Sequence, residues 1–194
     1  MDSIKKYLSP QDADKLLKNY LYGSDFGHEQ RVKKHALRLA FFLKEKSEFT
    51  EGSLDLLDYA ALFHDIGHNI SEKRHDLHTR TLICQDAGFD CLPLALRSAL
   101  ALIAGGHRKT IGSEIDNHSL KEQQLICRLA AILRIADAID YTRRCDIEVS
   151  FLEELNSHYI LGLSGGDLAY ITTRIDKKKP LFEEHFGFLM VKHN

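Results

Sequence analysis

The sequence predicts a mainly α-helical protein that carries a small C-terminal unit of mixed strand and helix. Three observations carry this expectation. Apolar residues recur at three- and four-residue spacing from the start to about residue 144, the period of a helix with one buried face. Glycine, proline and serine fall between those stretches, as helix starts and stops. Past Arg144 the pattern changes to alternation, which marks half-buried strands.

The elements follow in order. SPQDADKLLKNYL opens with a Ser-Pro start, in which proline occupies the first helical turn. HEQRVKKHALRLAFFLKEK places Val32, Ala36, Leu39, Ala40 and Leu43 on one face, and Phe41-Phe42 is taken as core. SLDLLDYAALFHDIG is a third helix, with Ser53 as N-cap and Gly67 as the stop. Residues 75–86 form a fourth. A fifth follows Pro93 and ends at Gly105-Gly106, and a long sixth runs from about Leu120 to Tyr141. Then DIEVSF, SHYILGL and, after a Gly-Gly-Asp turn signal, LAYITTRI read as strands. KKPLFEEHF reads as a short helix and FLMV as a last apolar run. The division expected is 1–145 for the helical part and 146–194 for an appendage packed on it.

Bulk properties exclude several classes. A chain of 194 residues, 44% hydrophobic and 28% charged, has enough apolar surface to fold. A formal charge of −2 provides no global basic field, so direct nucleic-acid binding is not expected. Four cysteines, Cys84, Cys91, Cys127 and Cys145, show no CxxC spacing, and two of them sit in apolar helical patterns, where a reduced thiol packs as a small hydrophobe. The opening MDSIKKYLSPQDADKLL has no apolar run, and no segment approaches a membrane span, so the expected location is cytoplasmic.

Polar residues that interrupt apolar faces point to chemistry. His28 stands four before Val32, at the leading end of its helix's buried face. His64 and Asp65 stand four after Ala60 and Ala61. Asp137, four after Leu133 and eight after Leu129, lies in the most apolar helix of the chain. A carboxylate buried there is costly unless it is paired or bound to a cation. His28, His64, Asp65 and Asp137 make a mixed N/O set for a divalent ion, Mn, Fe, Co, Zn or, less favoured by imidazole, Mg. The competing reading is a buried hydrogen-bonded network.

These residues, with HEQRVKKHALRLAFFL, YAALFHDIGHNIS, HDLHTRTLI, GGHRK, LAAILRIADAIDYTRR and KKPLFEEHFG in that order, carry a resemblance. H…HD…D is similar to the HD superfamily of metal-dependent phosphohydrolases, and residues 20–190 resemble the C-terminal HD domain of the exopolyphosphatase/guanosine pentaphosphatase family. The resemblance implies an all-helical HD-domain bundle and a metal site, mono- or binuclear. It does not imply polyphosphate cleavage. That site in the family belongs to an actin-like module with glycine-rich phosphate loops, whereas Gly105-Gly106 and Gly165-Gly166 are turn-like pairs.

A second ion would draw on His75 or His78 with His107, bridged by Asp65; otherwise these imidazoles are outer donors or exposed. His68 is either a proton donor to a leaving group or a helix C-cap partner. Asp140 is expected behind the ligands or paired to Arg143 or Arg144. Arg108, Lys109, Arg143 and Arg144 are candidate phosphate binders against a background of ordinary surface charge. Lys177-Lys178-Lys179, before Pro180, is taken as a solvated turn and helix start.

The favoured function is a metal-dependent phosphohydrolase using metal-activated water, with Asp65 and His68 at the chemistry and a small phosphoester or nucleotide as substrate. The alternatives are a non-catalytic metal- or nucleotide-binding module and a structural helical domain. A homodimer through an exposed edge strand stays open.

Overall fold

Helix α1 (Pro10–Lys18) starts at the Ser-Pro signal, with Ser9 accepting the Asp12 amide at 3.2 Å. The structure, a computed structural model, describes residues 2–21, 26–156 and 158–193. Helices α2 (Phe26–Ser47), α3 (Glu51–Phe63), α4 (His75–Gln85), α5 (Leu94–Gly105) and α6 (Leu120–Ile139) follow. Strands β1 (Glu148–Leu155) and β2 (His158–Ser164), helices α7 (Leu168–Lys178) and α8 (Pro180–Phe186), and strand β3 (Phe188–His193) complete the chain. Among the described residues this is a mainly α fold with a three-stranded C-terminal sheet.

Helix α6 is the centre. A Ser119/Glu122 capping box starts it, and α2, α3, α5, α7 and α8 pack around it. That explains its lack of a polar face: Leu129–Leu133, Ile135 and Ala136 are all buried. The sheet order is β1-β2-β3, antiparallel between the first pair and parallel between the second. Strand β1 lies against α2, and α7 and α8 lie against α6. No helix of the described residues is long and apolar enough to cross a membrane.

Five sequence expectations need correction. LAYITTRI is helical, not a strand. The Gly165-Gly166 turn is present, at φ 94° and 40°, but Asp167 then caps a helix by accepting the Tyr170 amide at 3.0 Å. Ile171 and Ile175, four apart, are its buried positions. Thr172 satisfies its hydroxyl on the Leu168 carbonyl, one turn back. Helix α3 is capped by Thr50, and the Ser53 hydroxyl instead donates to the Thr50 carbonyl. Phe41 is 69% exposed, so the core takes only the edge of the Phe41-Phe42 pair. Cys84 is on the surface and Cys127 only half-buried.

Gly67 is the fifth correction. Helix α3 ends earlier, at Phe63, and the chain continues as a tight 3-10 turn over Ile66–Asn69. A Cβ on Gly67 would fall 2.0 Å from the His75 carbonyl oxygen and 2.5 Å from the Thr79 nitrogen. Glycine is required because α4 crosses the end of α3 there. The Gly67 amide donates to the Thr79 hydroxyl at 2.9 Å, which donates to the His64 carbonyl at 2.8 Å. That close approach brings His75 beside Asp65.

His35, on α2 and 4% exposed, gives the fold a pH limit. Burial pulls its pKa down to about 4, against about 6.5 in an unfolded chain. Between those values the unfolded chain binds a proton that the folded chain refuses. The neutral imidazole is therefore harmless above pH 6.5, and stability falls as pH drops toward 4, by roughly 2–3 kcal/mol at the low end. Urea denaturation of wild type and His35→Leu at pH 7.5 and 4.5 checks this: the variant loses less stability on acidification.

Candidate metal centre

The ends of α3 and α5 each present a histidine in the same way. The Nδ1–H of His64 donates to the Ala61 carbonyl at 2.7 Å, and that of His107 to the Ala104 carbonyl at 2.6 Å. Carbonyls in a last helical turn lack helical partners, so an imidazole three residues on supplies one. Both rings are thereby fixed with the Nε2 lone pair pointing into the space between helices.

His28, at the start of α2, is fixed by a carboxylate instead: Nδ1–H donates to Asp140 Oδ2 at 2.6 Å. Asp140 is held in turn by Arg31 Nε at 2.7 Å. The predicted alternative partners, Arg143 and Arg144, are therefore not its ion pair. Burial opposes charge on His28, yet Asp140 and Asp65 outweigh it and lift the pKa to about 9. His75, on α4, lies with Nδ1 3.1 Å from the Glu72 carbonyl and 3.2 Å from Arg108 Nη1. One proton cannot satisfy both contacts, so His75 has two tautomers open to it. Burial lowers its pKa, and burial followed by the nearby His64 lowers that of His107 far more.

The free nitrogens converge on Asp65. Its Oδ2 lies 3.5 Å from His28 Nε2 and 3.6 Å from His68 Nε2. Its Oδ1 lies 3.5, 3.4 and 3.6 Å from Nε2 of His64, His75 and His107. Asp137 Oδ1 stands 3.7 Å from His28 Nε2 and 3.9 Å from His64 Nε2. Burial works against the Asp65 charge, but the surrounding imidazoles hold its carboxyl well below the usual range. Asp137 is likewise held down to about 2, with Lys178 overcoming burial.

These separations can be tested against an ion. Two ligands each about 2.1 Å from one centre lie about 3.0 Å apart at a right angle and about 3.4 Å at the tetrahedral angle. The His75–Asp65 contact of 3.4 Å and the His75–His107 Nε2 separation of 3.1 Å fall in that range, the contacts of His28 and His64 with Asp65, at 3.5 Å, lie just outside it, and Asp137 stands farther off, so the Asp65 and imidazole donors come close to the fit. The second piece of support is His64 Nε2, which is buried with no hydrogen-bond partner. An unpaired buried nitrogen costs about 1–3 kcal/mol, and a cation would relieve it. Among the described residues, two groupings place their ligand atoms close enough for an ion: His28, His64 and Asp65, and, sharing the same aspartate, Asp65, His68 and His75.

A cavity of about 300 Å³ opens onto this cluster, lined by His28, Asp65, His68, His75, His107 and Asp137, together with Glu72, Arg108, Tyr141, Arg143, Arg174 and Lys178. The structure thus brings together eight of the predicted residues with His64 behind them. His78, Lys109 and Arg144 do not line the cavity. Arg143 adopts φ 55°, a left-handed backbone uncommon for arginine, and reaches Asp65 Oδ2 with Nη2 at 3.4 Å. His68 stacks on His75 at 3.7 Å between ring centroids, rather than capping a helix.

Sequence reasoning missed Lys178 and Arg174. Lys178 is not a solvated turn residue: Nζ donates to Asp137 Oδ2 at 3.0 Å and to the His107 carbonyl at 2.8 Å. The signal was available. Ile171, Arg174, Ile175 and Lys178 fall at helical spacing, which puts Lys178 on the buried isoleucine face once α7 is read as a helix.

A family model described as Ppx/GppA phosphatase, domain III, matches residues 14–174. No curated protein matches the chain.

Proposed function

The chain belongs to the Ppx/GppA phosphatase domain III family, and from that premise we propose that it is an HD-type metal-dependent phosphohydrolase acting on a small phosphate ester or nucleotide. One observation carries this reading. His28, His64 and His107 are each pinned through Nδ1 by an oxygen acceptor, and their Nε2 atoms converge on Asp65 at the floor of a cation-rimmed cavity.

His28, His64, Asp65 and Asp137 would hold one divalent ion, Mn, Fe, Co, Zn or Mg. Asp65 would bridge to a second through His75 and His107. When bound, such ions acidify a coordinated water and polarise a phosphoryl oxygen. The protein residues do the rest. Asp140 and the Ala61 and Ala104 carbonyls fix the imidazoles in the ligating tautomer. Arg108 and Arg143 neutralise the phosphoryl group at the cavity mouth. His68, 35% exposed in its side chain, offers a proton from Nε2 to the leaving oxygen.

The test is turnover of a broad phosphoester and nucleotide panel by the purified chain with each metal, before and after chelation. Hydrolysis that vanishes with chelator and returns with Mn²⁺ is expected. No turnover of any substrate with any ion, from folded protein, would sink the enzymatic reading.

The alternative is a module that binds metal and nucleotide without turnover. The Lys178–Asp137 ion pair favours it, since an ammonium already occupies one oxygen of a ligand carboxylate. Nucleotides that raise the melting temperature with no product formed would support that alternative.

A further inference from the structure

We propose that α7 forms the phosphate-recognising wall of the site, with Lys178 and Arg174, one turn apart, as positioning residues for a ligand's phosphoryl group. This rests on the reading of the cluster as a metal-dependent phosphohydrolase centre. It adds that residues 146–194 are a working part of the centre rather than an appendage to it.

Lys178 carries the argument. Its side chain is 14% exposed and crosses from α7 to α6 and the end of α5. Burying an ammonium is expensive unless it is well paired, so its place there calls for a reason. Two of its three N–H donors are used, on Asp137 Oδ2 and on the His107 carbonyl. Lys178 also lines the cavity, where the third donor remains for a ligand oxygen. The contact divides Asp137 between two tasks. Oδ1 faces His28 and His64, while Oδ2 is taken by Lys178, so the carboxylate is presented to an ion through a single oxygen.

Arg174 is set beside it. Its guanidinium lies over the Tyr141 ring at 3.5 Å, and no carboxylate pairs with it among the described residues. Stacking fixes the plane of the fork while leaving its edge donors for an acceptor such as a phosphate. Arg143 and Arg108 reach the cavity from the chain beyond α6 and beyond α5. Four cations therefore surround about 300 Å³ of space against three acids, Asp65, Asp137 and Glu72. Two of those acids are the candidate ligands. With an ion in place the cavity holds a surplus of positive charge, which only an anionic ligand balances.

The experiment uses the full chain and inorganic phosphate as probe. Mn²⁺ affinity is measured first, by calorimetry or electron paramagnetic resonance, and then phosphate affinity at saturating Mn²⁺. Lys178→Met is expected to weaken phosphate at least about tenfold while Mn²⁺ binds as well as to wild type or better, because a neighbouring cation is gone. Lys178→Arg is expected to recover part of the loss. Arg174→Met, at a half-buried position with no ion pair among the described residues, keeps the test alive if Lys178→Met fails to fold. It should weaken phosphate roughly fivefold. Wild-type phosphate affinity in the folded variants, with Mn²⁺ binding intact, overturns the assignment. A wild-type chain that takes up no Mn²⁺ overturns the metal reading beneath it, and with it this proposal.

Discussion

Asp65→Ala is expected to abolish metal-dependent turnover, by at least about a thousandfold, equivalent to roughly 4 kcal/mol of transition-state stabilisation. The two oxygens of Asp65 serve opposite sides of the cluster. Oδ1 faces His64, His75 and His107, and Oδ2 faces His28 and His68. Its removal takes a ligand from either candidate ion and leaves the imidazoles without a shared anion. Fold stability in the absence of metal should change far less, because a buried carboxylate is itself costly to desolvate. Melting curves separate the two effects. Wild type at a Mn²⁺ concentration a hundredfold above its Kd should gain about 2.7 kcal/mol, or roughly 5–10 °C for a chain of this length. Asp65→Ala should gain almost nothing. A variant still stabilised by Mn²⁺ to the same extent would show that the ion binds elsewhere.

Asp140→Asn is the second large effect, and it acts at a distance from any ion. The Asp140 carboxylate holds His28 and Arg31, and it decides which nitrogen of His28 carries the proton and how strongly the other donates. Loss of the charge lets the ring rotate or change tautomer. A tenfold to hundredfold fall in metal affinity is typical of such changes, about 1.4–2.7 kcal/mol. In activity against Mn²⁺ concentration the midpoint should move right by that factor, with the plateau falling far less. A lowered plateau at an unchanged midpoint would mean that Asp140 acts on the substrate instead.

The site was legible in the sequence where a polar residue broke an apolar helical face. His28 and Asp137 stand on the buried faces of their helices, His64 and Asp65 continue the buried rows of α3 just past its end, and burial of such groups demands compensation. His75 and His107 were legible as ring nitrogens near helix ends. Their convergence was not, because it depends on how α4 crosses the turn that follows α3. That crossing is set by Gly67, which looked like an ordinary helix stop and is a point of contact between backbones. Lys178 and Arg174 were lost for another reason. LAYITTRI carries β-branched residues after a glycine turn, and local propensity favoured a strand. Packing of Ile171 and Ile175 against the core decided for a helix, and that choice alone turns Lys178 inward. Of the predicted cation set, only Arg108 and Arg143 reach the cavity, since position next to a ligand in sequence does not fix where a long side chain points.

The central claim is that a divalent ion sits among His28, His64, Asp65 and Asp137. Anomalous diffraction at the manganese edge, from crystals of the full chain grown with Mn²⁺, tests it without reference to any substrate. The expected result is a strong peak ringed by His28 and His64 Nε2 and by Asp65 and Asp137, with a second toward His75 and His107. A map with no peak in this cavity, from crystals that hold Mn²⁺ elsewhere on the protein, would contradict it.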